Sequence, residues 1–138
     1  MQLQNNMNNA NQQTYRVYYE DTDAGGVVYY ANYLKFAERA RTDWLREKEL
    51  ILSELAEKEN LLFVVKKVQM EFHKPARLDD IITVKTTLDK ISGTRLYLTQ
   101  TLCHNETTLV TIQVSVAAVD NNIKPARLPK HLVNKLWK

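Results

Sequence analysis

The chain predicts an α+β fold in which an antiparallel sheet packs against one long helix. Three observations predict it. From residue 64 onward, apolar and polar residues alternate with period two in four successive runs. Ahead of them, Tyr33, Phe36, Ala37, Ala40 and Trp44 recur at spacings of three and four, the stripe of an amphipathic helix. Short turn signals, Ser92-Gly93-Thr94 and Asn105-Glu106, join the later runs as hairpins, which makes their pairing antiparallel.

Taken in order, residues 1–13 are almost all Asn, Gln and Met without charge or periodicity, so they read as a disordered tail. The folded domain is expected from near Thr14, giving a single domain over 14–138. Tyr15, Val17 and Tyr19 alternate with Arg16, Tyr18 and Glu20 as a first strand, which ends in the turn formers Asp21 to Gly26. The long helix spans about Ala31 to Lys48, and Leu52 to Asn60 forms a shorter one. Glu38 with Arg41 and Asp43 with Arg46 place opposite charges three apart on the wetter side of the long helix.

In the next run, Val64, Val68, Met70 and Phe72 oppose Lys67, Gln69 and Glu71. Then Ile82, Val84, Thr86 and Leu88 oppose Thr83, Lys85, Thr87 and Asp89. Leu96, Leu98 and Leu102 form the third apolar set, and Val110, Ile112, Val114 and Val116 the fourth and cleanest. Pro125 and Pro129 lie in a closing segment that ends in Trp137. One long helix covers only part of such a sheet. A dimer is therefore expected, with edge strands joining into a longer sheet.

The bulk numbers narrow the class. The 138 residues suit one core, and no run reaches the roughly 20 apolar residues of a membrane helix. No secretory leader pattern opens the chain, and a single cysteine, Cys103, suits a reducing compartment; the expected location is cytoplasmic. Cys103 falls in a strand-like run and reads as a small sheet residue. A net charge of +3 is compatible with a phosphorylated ligand, an acidic carrier protein or anionic lipid.

Chemistry concentrates where the first strand meets the helix. Asp21, Asp23, Gly25 and Gly26 are followed closely by Tyr29, Tyr30 and Asn32. Glycines allow a tight turn and close approach of a ligand, and a helix start offers unpaired amides with the positive end of its dipole. A carboxylate beside such amides has two ingredients of acyl transfer, a nucleophile or base and oxyanion donors. Competing readings exist. Asp21 to Gly26 begins like a calcium loop, but Gly25 at the fifth position and Asn32 at the twelfth disfavour calcium. Asp-x-Asp after a strand also suits aspartate phosphotransfer, for which the chain is short. On local chemistry alone, a capped turn with Asp side chains bonding nearby amides is the stronger reading.

The run Val17 to Tyr29, followed by Asn32-Tyr33 and Phe36-Ala37-Glu38-Arg39-Ala40-Arg41-Thr42, resembles the YbgC-type branch of the 4-hydroxybenzoyl-CoA thioesterase family. Pro75-Ala76-Arg77-Leu78-Asp79-Asp80 is a second matching block, and the resemblance covers about residues 14–130. It implies a hotdog fold, homodimers or homotetramers with sites between subunits, and acyl-CoA hydrolysis with no metal or other cofactor. It also implies that Asp23 is the catalytic carboxylate, as nucleophile or general base. Tyr30 stands where many members of that branch carry His, so its main-chain amide is the implied oxyanion donor and its phenol a lining group. Gly25 and Gly26 shape the approach of the thioester, and Asp21 is a turn residue.

Lys90 and Arg95 are expected to meet the phosphates of CoA. Lys124, Arg127 and Lys130 form a second basic cluster, suited to an acyl carrier protein or the inner-membrane surface. His73, His104 and His131 lack metal-ligand spacing and read as ordinary surface residues. Nucleic acid is not an expected partner. Tyr30 in place of His leaves an acyl-CoA or acyl-carrier binding protein with little turnover as the alternative. A partner of envelope machinery is another, through the branch's association with the Tol-Pal system.

Overall fold

The protein is described by a computed structural model covering residues 11–138; the first ten residues of the expected tail lie outside the described residues. The elements are β1 (Asn11–Arg16), a single 3-10 turn (Tyr19–Asp21), α1 (Asn32–Glu47) and α2 (Leu52–Glu59), followed by β2 (Leu62–Phe72), β3 (Ile81–Ser92), β4 (Arg95–His104), β5 (Thr107–Val119) and α3 (Lys130–Trp137). All strands pair antiparallel in one sheet of order β1-β3-β4-β5-β2. This is the α+β layout that the periodicity predicted and the hotdog arrangement that the family resemblance implied.

The core lies between α1 and the sheet. Alternation in β3, β4 and β5 sends Ile82, Val84, Leu96, Leu98, Leu102, Val110, Ile112 and Val114 inward, all buried. From α1, Tyr33, Phe36, Ala37, Ala40, Trp44 and Leu45 meet them, the predicted stripe with one further residue. Burying a side chain such as Phe36, 1% exposed, contributes about 1.5–3 kcal/mol. Two polar residues share this interior. Gln100, fully buried, donates to the Ala37 carbonyl at 2.9 Å and to the Thr86 hydroxyl at 3.0 Å, and accepts from Arg41 at 2.9 Å. Both N–H donors and the carbonyl oxygen of its amide are thereby engaged, which offsets the cost of burying it.

Four differences from the sequence reading have local causes. β1 begins at Asn11 rather than near Thr14, because pairing of Asn11 with Thr86 and Gln13 with Val84 extends the ladder through polar residues. The Asn11 and Gln13 amides also bond Glu47, so hydrogen bonding replaces apolar burial there. Tyr19 leaves the strand for the 3-10 turn, where the Asp21 carboxylate accepts from the Tyr18 amide at 2.8 Å. In β2 the register shifts between Val65 and Lys67, so Val65 opposite Val116, and not Val64, shares a face with Val68, Met70 and Phe72. Finally, α3 follows Pro129, burying Leu132 and Leu136, where the sequence pattern assigns no element.

β2 is a long edge strand, and α1 leaves much of its inner face uncovered. Val65, Val68 and Phe72 are 48%, 38% and 50% exposed, unlike their β5 partners Val116, Val114 and Val110.

Candidate active site

The Asp23 carboxylate sits on a small hairpin. Thr22 bridges Val28, the Asp23 amide donates to Val27 O at 2.9 Å, and the Gly26 amide donates to Asp23 O at 3.0 Å. The loop Ala24-Gly25-Gly26 is thus a tight turn closed by a left-handed residue, Gly26 at φ +81°, where a side chain would be strained. The hairpin is anchored to the second motif block: the Val28 amide donates to Ala76 O at 2.8 Å and Val27 bridges Arg77. The Ala76 amide in turn donates to the Tyr33 hydroxyl at 3.0 Å, and the Asp80 carboxylate accepts from the Arg77 amide at 2.8 Å. Both motif blocks therefore build one support.

Within that support the two aspartates have different work. Asp21 is buried, its carboxylate holds the Tyr18 amide, and its carbonyl accepts from the Tyr29 amide at 3.0 Å and the Asn32 side chain at 2.8 Å. These bonds fix the entry into α1, the turn role read from sequence. Asp23 is exposed. Its Oδ1 accepts from the Gly25 amide at 2.8 Å, and its Oδ2 has no hydrogen-bond partner among the described residues. One oxygen is oriented and the other is open to a substrate.

At the start of α1, the amides of Tyr30 and Ala31 donate to no protein acceptor among the described residues. They are free donors at the positive end of a 16-residue helix. The Tyr30 ring, 62% exposed, packs 4.8 Å from Tyr29 and edge-on to Phe72 at 6.3 Å, and Tyr33 lies 6.0 Å from Phe72. Contact with the Tyr30 hydroxyl raises the Tyr29 phenol above its ordinary pKa. Phe72 was not singled out from the sequence. Its signal was its place as the last inward-facing residue of the uncovered edge strand.

Lys90 and Arg95 do not join Asp23 within one chain. They flank the β3–β4 hairpin, whereas Asp23 is tied through Arg77 and Asp80 to the start of β3. The length of β3, 12 residues, separates those ends by roughly 35 Å. Lys90 lies over the Tyr97 ring at 5.4 Å, and Arg95 borders a groove of about 430 Å³ on the outer sheet face with Lys67, Asp89 and Tyr97. Two further cavities, about 470 Å³ between α1 and α3 and about 190 Å³ between α1 and the β2 side of the sheet, also lie away from Asp23 and Tyr30. Each histidine sits near a carboxylate: His73 by Glu71 at 3.7 Å, His104 by Asp80 at 3.6 Å and His131 by Glu59 at 3.1 Å.

A family model described as the thioesterase-like superfamily matches residues 17–136, spanning the hairpin, α1 and the strands β2 to β5. The chain belongs to the thioesterase-like superfamily. Among its relatives in that superfamily is the acyl-CoA thioester hydrolase YbgC of Escherichia coli O6:H1, 47% identical over 120 residues, covering 86% of this chain and 89% of that protein. The acyl-CoA thioesterase YbgC of Haemophilus influenzae is 44% identical over 118 residues, 85% of this chain and 87% of that one. The crystal structure of a probable thioesterase from Bartonella henselae superposes on this thioesterase-family fold with a TM-score of 0.82 and 40% identity, covering 86% of this chain and 98% of that chain.

Proposed function

We propose that the chain hydrolyses acyl-CoA thioesters to a free acid and CoA, with Asp23 as the reacting carboxylate. The observation that carries this reading is the state of that side chain: held at Oδ1 by Gly25, free at Oδ2, and supported by the same loop that delivers the unpaired Tyr30 amide. The activity named for the YbgC relatives supports the reaction class.

Two routes use this geometry. As nucleophile, the free oxygen attacks the thioester carbonyl, the C–S bond breaks, CoA leaves as the thiolate, and water hydrolyses the resulting acyl anhydride. As general base, the carboxylate takes a proton from water as that water attacks the same carbon. The proton then goes to the departing sulfur. In both, negative charge grows on the carbonyl oxygen, and the Tyr30 amide is the donor for it, a contact worth roughly 2.7–4 kcal/mol in the transition state. Trapping of an acyl group on Asp23 by hydroxylamine separates the routes, because only the nucleophilic one forms an acyl-enzyme.

The working unit in this reading is a dimer joined along β2. An edge strand of 11 residues, paired on one side only and with an exposed apolar strip at Val65, Val68 and Phe72, needs both an edge partner and a cover. A second copy supplies the two together. Antiparallel pairing of the two edges brings the β3–β4 end of one sheet toward the Tyr30–Phe72 end of the other, so Lys90 and Arg95 of the second copy meet the CoA phosphates. Hydrolysis of an acyl-CoA series by wild type, followed by CoA release, tests the proposal; no release from any acyl-CoA overturns it.

A further inference from the structure

The cavity of about 190 Å³ between α1 and the sheet contains an unusual charge. Its walls are apolar, with Trp44 and Leu45 from α1 and Phe63, Leu96 and Leu98 from the sheet, yet Arg41 and Glu38 also line it. Arg41 is half-buried, and burial pushes its guanidinium below the usual value, with Glu38 acting in the opposite sense. A guanidinium has five N–H donors. Among the described residues one Arg41 nitrogen bonds Gln100 at 2.9 Å, and no carboxylate forms a salt bridge with it. Gln100 is itself fixed by Ala37 and Thr86, so the arginine is aimed by a rigid, fully buried group and keeps donors to spare.

We infer that Arg41 is a specificity-determining residue, which reads a neutral oxygen at the distal end of the acyl group held in this cavity. The inference rests on the thioesterase reading and on its β2 dimer. The exposed lining residues Glu38, Leu52 and Val65 put the mouth of the cavity at the free edge. Antiparallel pairing about the strand midpoint at Lys67 sets Leu62 opposite Phe72 of the second copy, so that copy's Tyr30 and Asp23 stand at the mouth. The acyl chain runs from the second copy's reacting centre into this copy's cavity.

The volume holds roughly six methylene-sized groups, counted at about 30 Å³ each. A distal hydroxyl accepts from Arg41 without leaving a buried donor empty, whereas a plain alkyl end leaves it unpaired. Glu38 already offsets part of the Arg41 charge, and a carboxylate end loses its hydration against these apolar walls, so a neutral polar end is preferred to a charged one.

The test compares acetyl-CoA, which is too short to reach the cavity, with hexanoyl-CoA, its ω-hydroxy derivative and the chain of matching length that ends in a carboxylate. Wild type is expected to favour the hydroxylated chain over hexanoyl by about tenfold or more in kcat/KM, the scale of a hydrogen bond to a charged group. Arg41→Met abolishes that preference while acetyl-CoA turnover stays within twofold. Arg41→Lys, which keeps a donor and the fold if the methionine variant melts, retains part of it. Glu38→Gln raises turnover of the carboxylate chain selectively. Hydrolysis of acetyl-CoA with equal use of the two six-carbon chains by wild type, or an unchanged preference in a folded Arg41 variant, overturns this inference alone. No hydrolysis of any acyl-CoA overturns the thioesterase reading, and this inference with it.

Discussion

Replacing Gly25 by alanine places a methyl carbon 3.3 Å from Asp23 Oδ1, the oxygen that the Gly25 amide holds at 2.8 Å. That contact is tighter than ordinary packing, so the carboxylate yields by a few tenths of an ångström. A misplacement of 1 Å at a reacting centre can cost roughly a hundredfold in rate. A few tenths is expected to lower kcat/KM about three- to tenfold. Stability should hardly change, within about 0.5 kcal/mol, because residue 25 is exposed and its backbone lies outside the left-handed region. Gly26→Ala is the matched control. Its new methyl meets nothing within 4 Å, but φ is +81°, so the cost is strain of about 1–2 kcal/mol. Urea denaturation and steady-state CoA release, run on both variants, separate the two effects. Wild-type kcat/KM in Gly25→Ala, or a Gly26→Ala variant as stable as wild type, refutes the reasoning.

Gln100→Leu removes three hydrogen bonds and leaves the Thr86 hydroxyl and part of Arg41 without partners. A loss of about 2–4 kcal/mol is expected in urea denaturation, more than a surface substitution produces. Tyr15 donates to Asp43 at 2.6 Å, and burial is the largest cause of its raised pKa, ahead of that bond. Since the folded phenol holds its proton more tightly than the unfolded one, its contribution is complete below about pH 10 and falls as pH rises further. Tyr15→Phe is therefore expected to cost about 1–2 kcal/mol at neutral pH, with a smaller difference in alkaline melts. A double substitution of Val65 and Val68 by Glu puts charge on the apolar strip of β2. Sedimentation should show a monomer, and acyl-CoA hydrolysis should fall with dimer content.

The sheet and α1 were legible because each has a strong period: Val110, Ile112, Val114 and Val116 stay in phase across β5, and the helix stripe matches the buried residues of α1. What escaped depends on contacts distant in sequence. The register shift after Val65 is set by pairing with β5, and nothing in the run Val64-Val65-Lys66-Lys67 announces it. β1 gains Asn11 to Gln13 from backbone pairing and from Glu47, 34 residues beyond Gln13, while α3 carries only two buried leucines on a short helix. The hairpin around Asp23 was readable as a turn from its glycines. Its anchorage by Ala76 and Arg77 was not, because those residues sit some 50 positions away. The distance of Lys90 and Arg95 from Asp23 is a product of strand topology, which local sequence does not encode.

The measurement that bears most directly on the account is CoA release by Asp23→Asn. The asparagine carbonyl oxygen still accepts from the Gly25 amide, so the hairpin should hold and the melting temperature should stay near that of wild type. With neither nucleophile nor base, kcat is expected to fall about a hundredfold or more. A folded Asp23→Asn protein that releases CoA within twofold of the wild-type rate would contradict the assignment of Asp23 as the reacting carboxylate.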